Sequence, residues 1–388
     1  MIVLSNDQKK ALEILFEWVE THNGKYITLG GYAGTGKTTL LGILRTLIFE
    51  KDPKIRIAFC AYTGKASRVL RDKLKEANAF LINDFVGTIH SLIYSPIEDE
   101  RTKEITGWKR KDSVDYDLII VDEASMVDIY IWNDLLSYQV PIIAVGDHGQ
   151  LPPIRENFNL MQNPDLKLEE IHRQARENPI IKLSIIARET GKIPIGKYGK
   201  NIYKISADDW EEREKVNELL TNYHPDTLIL CGFNRTRVKL NSYIRNALGF
   251  ELSTPQTNDR VICLRNNHPK EIYNGMLGTV FSLKENGEEW YKAEIVMDGE
   301  DGNVYKGRIF RPQFGSQEPF NFTKDRYRLS DGDIFDFGYA LTVHKAQGSQ
   351  AKRVVLFEER FSRMNDEEWR RWLYTGITRA EKELFIIG

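Results

Sequence analysis

The stretch Gly31-Tyr32-Ala33-Gly34-Thr35-Gly36-Lys37-Thr38 has the spacing G-x-x-x-x-G-K-[ST], which suits the cradling of phosphates. Its glycines let successive backbone N–H groups turn toward one anion, and a helix starting there adds partial positive charge. Lys37 can reach the β- and γ-phosphates of a nucleotide, and the Thr38 hydroxyl can ligate Mg²⁺. The carboxylates Asp122-Glu123 end the apolar run Leu118-Ile119-Ile120-Val121. Asp122 there can hold Mg²⁺, usually through water, opposite Thr38, and Glu123 can orient and deprotonate an attacking water. Gly146-Asp147-His148-Gly149-Gln150-Leu151-Pro152-Pro153 follows another apolar run and offers the Gln150 amide as a sensor of a γ-phosphate. Hydrolysis also needs cations on the developing charge. Two arginines are candidates: Arg173 in Leu168-Glu169-Glu170-Ile171-His172-Arg173-Gln174, and Arg379 in Tyr374-Thr375-Gly376-Ile377-Thr378-Arg379-Ala380.

Such groups need a rigid frame. Tyr26-Ile27-Thr28-Leu29 reads as a short buried strand before the phosphate loop, and Leu40 to Leu44 continues a helix after it. Ile55 to Cys60, Leu118 to Val121 and Ile142 to Val145 read as further apolar strands. Helices are expected at Asp7 to Glu20, with Ser5 as its cap, at Lys65 to Ala77 and at Ile89 to Ile93. Apolar strands alternating with helices predict an α/β fold, a parallel sheet covered on both faces, with active residues at the carboxyl ends of the strands. The alternation breaks between Ser95 and Asp117, where a small polar insertion of hairpin type is expected. It resumes at Asn178 with helix Pro179 to Arg188, strand Ile202 to Ile205, helix Asp208 to Tyr223, strand Thr227 to Leu230 and helix Thr236 to Ala247. From Pro255 to about Asp333, short alternating runs separated by Asn274-Gly275, Asn286-Gly287 and Asp301-Gly302 predict a small all-β insertion. Strands Phe337 to Val343, Val354 to Phe357 and Leu384 to Ile387 then complete the second α/β domain. The predicted partition is 1–94 with 114–177 for the first domain, 95–113 for its insertion, 178–254 with 334–388 for the second domain, and 255–333 for the all-β insertion.

The chain has 388 residues, 41% hydrophobic and 28% charged, with a net charge of −2. That is an ordinary globular composition and excludes a uniformly basic nucleic-acid binder, though not a local basic groove. Cys60, Cys231 and Cys263 lie far apart, so neither a disulfide scaffold nor a zinc site is indicated, and a reducing, cytoplasmic compartment fits. Met1 to Asp7 has no basic stretch before a long apolar run, so no signal peptide is expected, and no membrane-spanning segment is predicted.

In their order, Gly31 to Thr38, Val121-Asp122-Glu123-Ala124-Ser125-Met126, Val145 to Pro153, Thr342-Val343-His344-Lys345-Ala346-Gln347-Gly348-Ser349 and Tyr374 to Ala380 resemble the superfamily-one DNA helicases. The resemblance is to the RecD-like and Dda-like, Pif-related branch, and it covers both α/β domains. It implies two RecA-like motor domains, with a pin-like insertion in the first and an SH3-like barrel in the second. It implies ATP as substrate with Mg²⁺ as cofactor, bound in the cleft between the domains. Gln8 resembles the glutamine that reads the adenine edge, and Gly31, Ala33, Gly34, Thr35, Gly36, Lys37, Thr38, Thr39 and Gly348 fall in the nucleotide-binding set. Thr63, Gly64, Lys65, Thr88, His90, Asn234, Thr342, His344 and Lys345 match strand-contacting positions, and the insertion Ser95 to Lys111 sits where the family places a strand-separating pin, with Trp108 able to stack on the fork. Single-stranded and forked duplex DNA, and replication or recombination proteins, are the implied partners. A bacterial or phage-infected cell is the implied setting, 5′→3′ the implied direction, and a monomer the expected state. A DNA-stimulated ATPase that clamps or translocates without unwinding would share the same engine.

Overall fold

The computed structural model describes residues 4–21, 24–98, 105–152, 158–171, 177–250, 254–265, 267, 270, 272–298, 304–318, 320, 326–329 and 331–388. Its contacts define two units. One is Met1–Gly191 with Gln347–Ser349 and Arg370–Thr378; the other is Lys192–Ala346 with Gln350–Trp369 and Arg379–Gly388. Among the described residues no helix is long and apolar enough to cross a membrane.

The first unit is built on a parallel sheet in the order Phe85–Thr88, Ile57–Ala61, Leu118–Asp122, Ile142–Gly146, Tyr26–Gly31, Leu166–Leu168. Its four central strands are the apolar runs legible in the sequence. Ile57–Ala61 and Ile142–Gly146 are buried at every residue, as a sheet covered on both faces requires. The edge strands Phe85–Thr88 and Leu166–Leu168 are too short and mixed in polarity to stand out in the sequence. Helix Lys37–Lys51 lays Leu40, Leu41, Leu44 and Ile48 on the core beside Leu29 and Val145. Its buried Arg45 makes two hydrogen bonds to Asp84, at 2.8 and 3.0 Å, and Asp84 also accepts from the Ile57 amide at 3.1 Å. This ion pair pins the helix, and the phosphate loop ahead of it, to the neighbouring strand. Tyr94–Glu98 and Ile105–Arg110 form an antiparallel ribbon in which a half-buried Trp108 lies opposite Pro96.

The second unit carries a sheet in the order Ala340–Thr342, Thr227–Cys231, Ala351–Phe357, Ala380–Ile387, Ile202–Ile205, Gly196–Gly199. All its neighbours are parallel except the edge strand Gly196–Gly199. A separate antiparallel sheet runs Val304–Phe310, Trp290–Met297, Leu277–Glu285, Arg260–Cys263, Phe335–Phe337. Val261, Ile295, Tyr305, Ile309 and Phe335 fill its core.

Two details differ from the sequence expectation. The single strand expected from Phe337 to Val343 is two: Phe335–Phe337 pairs with Arg260–Cys263 in the antiparallel sheet, while Ala340–Thr342 joins the parallel one. Gly338 makes the break, because a side chain there would lie 2.7 Å from the Val261 carbonyl carbon. Its amide donates to Arg260 O at 2.9 Å. Helix Pro179–Thr190, expected to open the second domain, groups by its contacts with the first unit. Its Arg188 guanidinium lies 3.8 Å from the centre of the Tyr32 ring, in the phosphate loop.

Candidate functional site

The loop curls between strand Tyr26–Gly31 and helix Lys37–Lys51. Gly34 and Gly36 take left-handed backbone angles, φ 80° and 73°, which a residue with a side chain would adopt only with strain. The Thr35 hydroxyl donates to Tyr32 O at 2.8 Å, and the Lys37 ammonium donates to Gly31 O at 2.6 Å and Tyr32 O at 3.1 Å. Thr38 is half-buried and Thr39 exposed on the first helical turn. Gln8 is buried at the start of helix Asn6–Thr21. Its amide oxygen accepts from Ser5 N at 3.0 Å, while Gln8 N points to the Ser5 hydroxyl at 3.4 Å, a reciprocal cap. Its amide nitrogen donates to Thr35 O at 2.9 Å, so the residue expected to read adenine also ties this helix to the loop.

Asp122 ends its strand beside the loop. Burial pushes its carboxyl up, against the opposing pull of the Glu123 amide, Lys37 and Lys73. A divalent cation would supply the charge that this poorly solvated carboxylate lacks, so Thr38 and Asp122 fit a Mg²⁺ held largely by substrate phosphates and water. Among the described residues no group of three or more His, Cys, Asp or Glu side chains is placed to hold a metal ion. Glu123 sits at φ 53°, a left-handed angle uncommon outside glycine, and such strain gathers at functional sites.

The turn after strand Ile142–Gly146 is held from the far end of the chain. Asp147 is buried and accepts from Gly149 N at 2.9 Å and from the Tyr374 hydroxyl at 2.6 Å. That same hydroxyl accepts from Ala33 N, in the phosphate loop, at 2.7 Å. Arg371 donates to His148 O and Gln150 O, the Thr375 hydroxyl accepts from Leu151 N, and Gln347 donates to Leu151 O. Gln150 is buried, with its amide nitrogen 3.4 Å from Asp147. The His148 ring lies 4.1 Å from that of Tyr32, and burial lowers its pKa. No local pattern in the sequence marks Tyr374, Thr375 and Arg371 as site residues. The only signal was the string around Arg379 that contains two of them. Arg379 itself is buried in the second unit, directly before strand Ala380–Ile387. Arg173 lies outside the described residues.

Of the strand-contacting candidates, Thr63 caps helix Gly64–Glu76 by accepting from Ala66 N, and Thr88 caps Ile89–Ile93 by accepting from Ser91 N. The backbone of Lys65 lies in the first turn of the longer helix. His90 is buried, its ring 6.4 Å from that of Tyr62 and 5.6 Å from that of Tyr94. A side chain at Gly348 would meet Met126 Sδ at 3.1 Å and Thr63 Cγ2 at 3.4 Å, so this glycine sits between the string that follows Asp122 and the cap of helix Gly64–Glu76. In the second unit Thr342 ends its strand, buried, and His344 and Lys345 follow on the turn Val343–Ala346. Burial lowers both, Lys345 to about 8. Asn234 is exposed at the start of helix Asn234–Ala247.

A phosphate loop feeding a helix, a strand-terminal acid pair and a parallel sheet define a nucleotide-binding α/β protein. Residues 3–202 match the AAA domain family, and residues 337–387 match the UvrD-like helicase C-terminal domain. The chain belongs to that AAA-domain family. It is 29% identical to the ATP-dependent RecD2 DNA helicase of Deinococcus radiodurans, over 94% of this chain but 47% of that protein. It is 26% identical to the RecD subunit of the RecBCD enzyme of Buchnera aphidicola subsp. Schizaphis graminum, over 93% of this chain and 70% of the relative. The chain thus spans about half the length of the first of these relatives. In fold it is similar to a Bacteroides Pif1 bound to single-stranded DNA (TM-score 0.53, 18% identity, 100% of this chain and 92% of the other). A second similar structure shows two coordinating Pif1 helicases at forked duplex DNA (TM-score 0.52, 19% identity, the same coverage).

Proposed function

We propose that the protein is an ATP-dependent DNA helicase that translocates on single-stranded DNA and separates duplex strands. The observation that carries this reading is the Tyr374 hydroxyl, which joins the Ala33 amide of the phosphate loop to Asp147. A C-terminal helicase string is thereby tied to the nucleotide site. The RecD2 and Pif1 relatives, named for DNA unwinding and single-strand binding, support the same reading.

In this reading the loop amides and Lys37 hold the ATP phosphates and Gln8 reads the adenine edge. Glu123 orients and deprotonates the attacking water, and Gln150 senses the γ-phosphate. Arg173 and Arg379 meet the developing negative charge. Mg²⁺, when bound at Thr38 and Asp122, neutralises charge on the phosphates. Thr63, Gly64, Lys65, Thr88, His90, Asn234, Thr342, His344 and Lys345 grip the strand without reading sequence. The segments expected as motor domains, 1–94 with 114–177 and 178–254 with 334–388, act as two such domains, except that helix Pro179–Thr190 goes with the first and strand Phe335–Phe337 with the antiparallel sheet. The ribbon at 95–113 serves as a strand-separating pin, and 255–333 as an SH3-like barrel. Movement is 5′→3′ by analogy with the branch. Replication or recombination proteins are proposed as further partners, since a RecD relative is a subunit of a larger enzyme.

The test is ATP-driven unwinding of two partial duplexes, one with a 5′ and one with a 3′ single-stranded tail, with Lys37→Ala as control. Displacement from the 5′-tailed duplex alone, lost in the control, is expected. Displacement from the 3′ tail would reverse the direction. ATPase stimulated by single-stranded DNA without any displacement would replace the helicase with a translocase or clamp.

A further inference from the structure

An open pocket of about 560 Å³ on the second unit is lined by Phe233, Arg235, Arg360, Phe361, Ser362 and Arg363. The loop that begins at Glu359 shapes it. The Glu359 carboxylate accepts from Gly232 N at 2.8 Å, Phe233 N at 3.0 Å and the Thr236 hydroxyl at 2.5 Å. It thereby ties that loop to the start of helix Asn234–Ala247. The tie brings Phe361 edge-on to Phe233, ring centres 4.5 Å apart. The Arg235 guanidinium lies over the Phe233 ring at 5.0 Å.

The charges around the pocket do not cancel. None of the lining residues is acidic, and three are arginines. Of the nearby carboxylates, Glu359 is committed to the helix start, and Asp366 to Arg360, at 2.6 Å. Among the described residues Arg235 and Arg363 have no acidic partner, and both are exposed. A concave wall that combines cations with an aromatic pair fits one ligand class well: a phosphodiester with an unpaired base beside it. Sequence-neutral single-strand binding uses that combination of charged track and stacking surface. Asn234, a proposed strand contact, lies between two of the lining residues in sequence.

We propose that this pocket is a single-strand subsite, with one phosphodiester on Arg363 and Arg235 and the adjoining base against the Phe233–Phe361 pair. The assignment rests on reading the protein as a strand translocase and extends its DNA track to the loop at 359–363. An arginine pair without a base-reading amide in the wall makes the subsite indifferent to sequence.

The test is equilibrium binding of a fluorescent oligo-dT to the full chain, by anisotropy, over a salt series. Arg363→Ala is expected to flatten the slope of log K against log salt by about 0.7, the share of one phosphate on a single strand. Arg363→Glu should weaken binding further. Phe361→Ala should weaken binding by roughly ten-fold with the slope unchanged, and Phe361→Trp should keep near-wild-type affinity. Because Phe361 packs on Phe233, thermal melting accompanies each variant, and the surface variants Arg363→Ala and Arg363→Glu decide the matter if Phe361→Ala fails to fold. Wild-type affinity and slope in both Arg363 variants would overturn the subsite while leaving the helicase reading standing. Failure of the wild-type chain to bind oligo-dT would overturn the helicase reading itself. Binding of a polyglutamate peptide, lost in Arg363→Glu while oligo-dT binding is unchanged, would assign the pocket to an acidic protein segment and overturn the proposal.

Discussion

Tyr374 contributes a single hydroxyl, yet that oxygen meets both the Ala33 amide and the buried Asp147 carboxylate. Replacing it by phenylalanine removes a hydrogen bond to a buried carboxylate and leaves the loop amide without this partner. Tyr374→Phe is expected to lower unfolding free energy by about 1–3 kcal/mol and ATP turnover by roughly ten-fold. Urea unfolding and steady-state ATPase measurements check this, and wild-type turnover would show that the bridge plays no part in the cycle. Lys345 carries a different kind of prediction. Burial brings its ammonium down to about 8. The unfolded chain holds that proton more tightly, so the folded state bears a penalty at neutral pH that is relieved as pH rises through the folded and then the unfolded value. Phosphate binding needs the charged form, so strand affinity moves the other way and falls as pH rises past about 8. In Lys345→Arg the fall should be absent, because guanidinium stays charged. Matching pH profiles in the two proteins would remove Lys345 from the DNA track.

Helix Lys37–Lys51 is held by its apolar face and by one buried ion pair. Asp84→Ala would leave the Arg45 guanidinium buried without its carboxylate, which should cost about 3–5 kcal/mol in urea unfolding. The phosphate loop begins this helix, so nucleotide affinity should fall in parallel. A loss below about 1 kcal/mol would mean that Arg45 finds other partners. The ribbon Tyr94–Glu98 and Ile105–Arg110 supports a prediction about work rather than stability. With Trp108 as a stacking surface at the fork, Trp108→Ala should reduce unwinding more than DNA-stimulated ATPase. Equal loss of both would reject the ribbon as a pin. Both elements were legible in part. The helix follows from its apolar pattern and the ribbon from a break in the α/β alternation. The Arg45–Asp84 pair, 39 residues apart, was not, because nothing local distinguishes a buried arginine from a solvated one.

For the molecule as a whole, a net charge of −2 means that, in the proposed reading, a single strand would be held by a few placed cations rather than a general positive field. Single-strand affinity should therefore fall with salt with a modest slope, about −2 to −4 in log K against log salt, as three to six phosphate contacts would give. A much steeper slope would point to a broad basic surface. The strings within short windows carried the chemistry. Gly31 to Thr38 and Asp122-Glu123 could be read directly, because loop curvature and strand ends depend on neighbouring residues. The parallel sheets followed from their apolar runs, since strands buried on both faces tolerate little else. Other features depend on residues far apart in the chain. Tyr374 meets Asp147 across 227 positions and Ala33 across 341, and a hydrogen bond forms only when packing brings its two ends within about 3 Å. The division of Phe335 to Thr342 between two sheets likewise turned on the close approach of Gly338 to Val261, a contact that no local pattern encodes.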